Sequence, residues 1–307
     1  MAGGGLRTAG EREAGWALCT IAAKPQWALG RVVARSFARH HPGVPVFVLL
    51  ADRVDGAFDP AGEPFTMITP DQLDAPEAEE MARRYTAQEF SYALTPMLLQ
   101  WVLRQGFGRV LFIKQESLVT ASLEPVMDRL RQPGVSLLLT PHLLAPLGSV
   151  ARELNILQCG TFNGGFVAVR GGGEGDRFLA WWRGRLAEDC RYDPAAGRHF
   201  EQRWLDLAAG LMEGVEVVRD PGVNVGHWHL PERQVRVEGE TIWADGSLCR
   251  LFRFSGFEME HPERATRYFE RLRMERMVEA ATVFARYRAE LAAAGYWETR
   301  AWGYSLP

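Results

Sequence analysis

Apolar residues fall in short continuous runs through the first half of the chain, separated by stretches where they recur at helical spacing. Residues 16–22 form the first run, 44–50 the second and 65–68 a third. Between the first two, 26–40 reads as a helix, ending at His40-His41, where histidine suits the helix dipole, and a Pro42-Gly43 turn. A long helical region covers 77–105, broken near Thr95-Pro96 because proline disfavours a helical predecessor, and Gly106 and Gly108 end it. A buried strand over 110–113 opens the stretch 110–119, followed by a helix at 123–131 and a strand at 135–140. Continuous Val, Ile and Leu runs separated by helices predict an α/β fold, a mostly parallel sheet covered on both faces.

The second half is more mixed. Residues 161–170 read as a tight glycine turn or bulge leading into a strand, and 178–190 as a helix with Trp181 and Trp182 at its buried side. Residues 201–209 read as helical, and short strands are expected at 215–218, 235–237 and 248–254. From His261 onward the pattern is charged and helical. With no internal repeat and no low-complexity linker, the chain divides into one main domain, 1–260, and a helical tail, 261–307. Ligands of such sheets sit at the carboxyl ends of strands. That rule directs attention to 22–24, 51–53, 114–116 and 140–142.

Composition narrows the classes. A 307-residue chain with 47% hydrophobic content can bury a full core. A net charge of −3 and a pI near 6.2 provide no global field for nucleic acid or an anionic membrane. Residues 1–10 lack the apolar segment of a secretory signal, and no apolar run approaches the roughly 20 residues that span a bilayer. The expectation is a soluble, cytoplasmic protein without a membrane span. Cys19, Cys159, Cys190 and Cys249 lack zinc-site spacing, and Cys19, Cys159 and Cys249 are expected in the core. Gly171-Gly172-Gly173 lacks the Gly-Lys-Ser/Thr ending of a phosphate loop. His227 and His229 have the spacing of a same-face strand pair flanking Trp228; without a third ligand they suit an acceptor cleft or packing.

Lys24 and Lys114 are the only lysines, every other basic residue being Arg. Lys114 stands at the end of the strand over 110–113. The segments Cys19-Thr20-Ile21-Ala22, 93–99, 162–166, 201–204, 221–225 and 252–257 follow one another in an order that resembles the bacterial GT-A-type glycosyltransferases of the retaining, glycogenin-like and lipopolysaccharide-galactosyltransferase group. The resemblance runs from about Cys19 through the tail. It implies a GT-A fold and a nucleotide-sugar donor, most readily a UDP-sugar, with the nucleoside along Thr20, Ala22 and Lys24.

In that family an Asp-x-Asp and a later His-Phe-x-Gly hold a divalent metal on the diphosphate. Here the matching residues are Lys114-Gln115-Glu116 and Arg253-Phe254-Ser255-Gly256. Hard cations need oxygen ligands and tolerate no neighbouring cation, so no metal and no other cofactor is expected. The resemblance implies that Lys114 and Arg253 hold the diphosphate, with Glu116, Ser255 and Gly256 nearby. Asn163 and Gly164 would contact the donor sugar, and Glu201 and Gln202 would frame it where the family has Asp-Gln. A basic residue usual at the position of Thr95 is absent. The acceptor is open among a small natural product, a glycan and a peptide.

Two further readings stand beside a metal-independent transferase. One is a catalytically inactive relative that supports a partner glycosyltransferase, its cations merely paired with nearby acids. The other keeps the fold but takes a differently activated sugar. In the plainest reading, Gly164-Gly165 is a simple bulge and Glu201-Gln202 an exposed helix start.

Overall fold

The computed structural model describes residues 15–269 and 272–306. The opening segment read above for a targeting signal lies outside the described residues. Strands in chain order are β1 (Trp16–Ala22), β2 (Val46–Leu50), β3 (Thr66–Ile68), β4 (Arg109–Ile113), β5 (Ser117–Val119), β6 (Leu137–Pro141) and β7 (Phe162–Arg170). Then come β8 (Tyr192–Asp193), β9 (Arg198–His199), β10 (Val215–Val217), β11 (Val235–Glu238), β12 (Thr241–Ala244), β13 (Ser247–Leu248) and β14 (Leu251–Arg253). Seven of them make one sheet in the order β10-β6-β7-β4-β1-β2-β3. All neighbours are parallel except β7, which runs against both β4 and β6. The expected mostly parallel α/β sheet is therefore present.

Both faces of the sheet are buried, which is why its strands read as unbroken apolar runs. Along β1, Ala17, Cys19 and Ile21 enter one core while Trp16, Leu18 and Ala22 enter the other. Val110 and Phe112 of β4 share the first core, Leu111 and Ile113 the second. Of the four cysteines, Cys19, Cys190 and Cys249 are buried and Cys159 is only half-buried.

Local chemistry divides elements that periodicity had joined. The helical region 77–105 is three helices, Ala78–Arg84, Ala87–Ala93 and Thr95–Arg104. The first break falls where Thr86 and Glu89 form a reciprocal capping box, and the second where Pro96 opens a new helix. The stretch 110–119 also divides. β4 stays in the main sheet, whereas β5 leaves it to pair antiparallel with β14. The turn between them, 114–116, thereby projects from the carboxyl end of β4. Helix Val150–Cys159 was not anticipated; its Val150, Leu154 and Leu157 are exposed, so no buried stripe announced it.

The segment after 260 packs into the rest of the chain. Val283, Phe284, Tyr287 and Leu291 of helix Val278–Ala293 share a buried cluster with Ala28, Val32, Phe252 and Phe254. Tyr287 stacks on Phe254 with centroids 3.8 Å apart and planes 5° apart. Truncating that ring removes both the burial and the stack. Tyr287→Ala is expected to lower unfolding free energy by about 3–5 kcal/mol, read from the urea midpoint at an unchanged m-value.

Candidate functional site

The turn after β4 meets the start of β7 at the carboxyl ends of the parallel strands. Pairing between β6 and β7 runs regularly at Leu137, Leu138 and Leu139, then shifts so that Pro141 faces Phe162. Residues 163–166 therefore bulge out, as a Gly-Gly pair permits. The Lys114 amide donates to Gly165 O at 3.1 Å, tying the turn to the bulge.

Four charges, three of them buried and Glu116 partly exposed, face each other around this bulge. Lys114 Nζ lies 2.5 Å from Glu201 Oε1 and 3.6 Å above the Tyr92 ring. Arg253 Nη2 donates to Glu116 Oε2 at 3.0 Å. Lys114 is 5%, Arg253 3% and Glu201 0% exposed. Burial pushes the Lys114 ammonium below the usual lysine range, with Glu201 opposing that shift and Arg253 adding to it. Neither glycine can be replaced freely. A Cβ on Gly164 would collide with the Glu201 carboxylate, and one on Gly165 would lie 2.7 Å from Arg253 Nε and Nη1. Those two guanidinium donors are buried without an acceptor among the described residues.

The neutral side chains of the site are held by backbone and by one another. Gln202 Oε1 accepts from the Gly164 amide at 2.8 Å, and its Nε2 donates to Cys159 O at 2.8 Å. Asn163 Oδ1 accepts from the Gly165 amide at 2.8 Å and from Asn224 Nδ2 at 3.1 Å. Asn163 Nδ2 donates to His142 Nε2 at 2.9 Å, which leaves the His142 Nδ1 proton for Gly160 O at 2.8 Å. Glu201 and Gln202 precede helix Trp204–Leu211 rather than starting it, and both are buried.

The remaining expected residues surround this centre at different depths. His229 Nδ1 faces two donors, the Gly226 amide and Arg233 Nη1 (each 3.2 Å), so the ring proton belongs on Nε2, 2.8 Å from His142 O and with Trp228 Nε1 also 3.0 Å away. Trp228 packs edge-on against His142, with centroids 5.3 Å apart. His227 is half-buried, its Nδ1 without a partner among the described residues. Ser255 and Gly256 follow β14 and are covered by 265–268: Thr266 Oγ1 donates to Ser255 O at 2.9 Å, and Gly256 (φ 73°) has Thr266 and Tyr268 against it. Thr20 and Ala22 are buried in β1. Lys24 is fully buried and stands apart from the four-charge cluster, hydrogen-bonded to Asp55 and, at 2.6 Å, to Ser305 Oγ.

The structure thus brings together Lys114, Glu116, Asn163, Gly164, Glu201, Gln202 and Arg253. It adds Tyr92, His142, Asn224 and His199, whose carbonyl accepts from the Gln202 amide at 3.2 Å; sequence reasoning did not select these individually. Tyr92 lies within a buried helix and carried no signal of its own. Asn224, inside the Pro221–Val225 segment, adopts a left-handed backbone (φ 57°), which asparagine takes up more readily than most residues; its residue type after Pro-Gly was the hint the sequence carried. Among the described residues no three His, Cys, Asp or Glu are grouped to hold a metal ion.

Burial keeps the histidines of this region neutral. It holds His142 and His199 down at about 4, His227 at about 3 and His229 well below the ordinary value. The unfolded chain, with histidines near 6.5, binds more protons than the folded one between pH about 6.5 and 4. Stability is therefore expected to be flat above pH 6.5 and to fall as the pH drops through that window. Each histidine contributes up to about 1.4 kcal/mol per pH unit. Urea midpoints from pH 7.5 to 4 check this; a flat profile would mean that water reaches these rings.

No family model matches the chain. YfnF of Bacillus subtilis (strain 168), an uncharacterized protein, is 28% identical over 176 residues, which are 56% of this chain and 57% of YfnF. The match thus spans little more than half of that relative's length. Solved structures agree in fold over more of the chain. The galactosyltransferase LgtC, in complex with donor and acceptor sugar analogs, superposes with a TM-score of 0.51 at 15% identity, covering 89% of this chain and 95% of that one. The glycosyltransferase GlyE of Streptococcus pneumoniae TIGR4 superposes with a TM-score of 0.51 at 10% identity, covering 94% of this chain and 66% of GlyE. With its single reversed strand β7 and a cluster of charges at the carboxyl ends of the parallel strands, the chain has the fold of the GT-A glycosyltransferases.

Proposed function

We propose that this protein is a glycosyltransferase that takes a sugar from a nucleotide-diphosphate sugar, a UDP-sugar by resemblance, without a divalent metal. One observation carries the reading. Arg253 is buried beside Lys114 at the strand ends, yet its Nε and Nη1 donors have no acceptor among the described residues. Buried donors are costly to leave unpaired, and a phosphate oxygen is the acceptor a guanidinium matches best. The residues present do not suit a hard cation. Glu116 and Glu201 are each already tied to a basic side chain, and two positive groups stand beside them.

The two ion pairs balance each other, so a diphosphate adds negative charge to a neutral cluster. A carboxylate must give way for it. Glu116 suits that part, its side chain 17% exposed where that of Glu201 is fully enclosed. Lys114 and Arg253 would then stabilise the leaving phosphate as the bond to the sugar breaks. Glu201 would face sugar hydroxyls. Gln202 Oε1, which accepts one hydrogen bond from Gly164, keeps a second lone pair for the developing oxocarbenium ion. The group that the chain resembles transfers with retention; with no side chain of the site positioned as an enzyme nucleophile, the retaining route that fits is front-side displacement. The acceptor, a small natural product, glycan or peptide, would approach from the side of His227, Trp228 and His229.

The test is calorimetric titration of UDP, GDP and dTDP, each with Mn²⁺ and again with EDTA. Binding indifferent to EDTA is expected, weakened at least tenfold in Lys114→Ala and in Arg253→Ala. Lys114→Ala strands a buried carboxylate at a cost of about 3–5 kcal/mol. Glu116→Gln is therefore measured beside it, and removing its competing charge is expected to tighten nucleotide binding severalfold. Strict Mn²⁺ dependence would overturn metal independence. No binding to a folded protein would return the balance to an inactive relative that supports a partner glycosyltransferase.

A further inference from the structure

The carboxyl ends of β1 and β2 are where a parallel sheet of this kind receives a ligand, and here a segment of the chain itself lies across them. The Ser305 amide donates to Asp52 Oδ1 at 2.9 Å, just beyond β2. Its hydroxyl donates to Asp55 Oδ2 at 2.9 Å and accepts from Lys24 Nζ at 2.6 Å. Three residues earlier, Trp302 stacks on Phe58 with centroids 5.3 Å apart and planes 7° apart, and Arg31 lies 5.8 Å over the Trp302 ring. Tyr304 is half-buried between these contacts.

The chemistry of these contacts is that of a nucleoside. A flat ring stacked on an aromatic side chain is followed by an N–H and an O–H given to two carboxylates, with an ammonium alongside. A base and the hydroxyls of its ribose present the same groups. The site also has spare capacity: Asp52 is 2% exposed, and its Oδ2 is buried with no hydrogen-bond partner among the described residues. A serine satisfies only part of what these side chains offer.

We propose that residues 302–305 form an internal strap that occupies the nucleoside half of the donor site. Trp302 stands in for the base and Ser305 for the ribose hydroxyls, and a nucleotide sugar binds only when the strap lifts. Lys24, Asp52 and Asp55 then contact the nucleoside. The inference rests on the donor reading above and adds its regulation. Lifting uncovers Lys24 and Asp52 beside Asp55, whose side chain is already 43% exposed, so the ammonium keeps a carboxylate partner while open.

Trp302→Ala/Ser305→Ala removes the stack and the hydroxyl contacts without touching the four-charge cluster. Two measurements are made on wild type and this variant: UDP titration in EDTA, and hydrogen exchange of the Ser305 amide with and without UDP. The expected result is at least tenfold tighter UDP binding in the variant. In wild type, the Ser305 amide should be protected alone and lose protection when UDP is added. Equal or weaker binding in the variant, or a Ser305 amide that stays protected in the UDP complex, overturns the strap and leaves the donor reading standing. If exchange shows the strap released in the variant but UDP binds neither protein, the strap and the donor reading both fall.

Discussion

The site depends on the balance of four charges, of which only Glu116 meets solvent. Moving an isolated charge out of water costs several kcal/mol even after relaxation, so Lys114 and Arg253 are tolerable at the strand ends only because Glu201 and Glu116 come with them. The partners arrive from distant parts of the chain. Glu116 shares the turn after β4, Glu201 belongs to the approach to helix Trp204–Leu211, and Arg253 ends β14. The charge balance thus couples the β4–β5 turn, the approach to helix Trp204–Leu211 and the β5–β14 ribbon. None of the three is free to shift alone.

The same constraint shapes the neutral groups. With backbone amides of the bulge turned inward, Gly164 and Gly165 need acceptors, and Gln202 and Asn163 supply them. Asn163 passes the constraint to Asn224 and His142, and His142 O in turn holds His229. A chain of neutral polar groups therefore runs behind the charges from β7 to the 227–229 segment. Glycine is required at 164 and 165 less for conformational freedom than for space, since a carboxylate and a guanidinium occupy the positions of the missing Cβ atoms.

Much of the site was legible because its chemistry is unusual for its place. A lysine at the end of an apolar strand, in a chain with only two, is conspicuous, and the Asn-Gly-Gly triplet marked the bulge. What the linear pattern could not state was pairing. Proximity along the chain would set Lys114 against Glu116, two residues on, whereas the turn directs the ammonium across to Glu201 and leaves Glu116 to Arg253. It also treated Glu201-Gln202 as a helix start, yet both side chains are enclosed. Lys24 was read with the nucleoside end of the site, and the structure surrounds it with Asp52, Asp55 and Ser305, the last of them 281 positions away in the chain.

By itself the sequence determined the α/β class, the buried parallel strands and the positions where strands end. Those follow from local periodicity and from the requirement that a sheet covered on both faces be apolar on both. It also determined which rare side chains stand at those ends. Only the tertiary structure decided which charge neutralises which, that β5 leaves the main sheet for β14, and that residues 302–305 return to the mouth of β1 and β2. Those outcomes depend on contacts between residues far apart along the chain. Burial and electrostatics select such contacts after the local elements exist, and no pattern of neighbours along the chain encodes them.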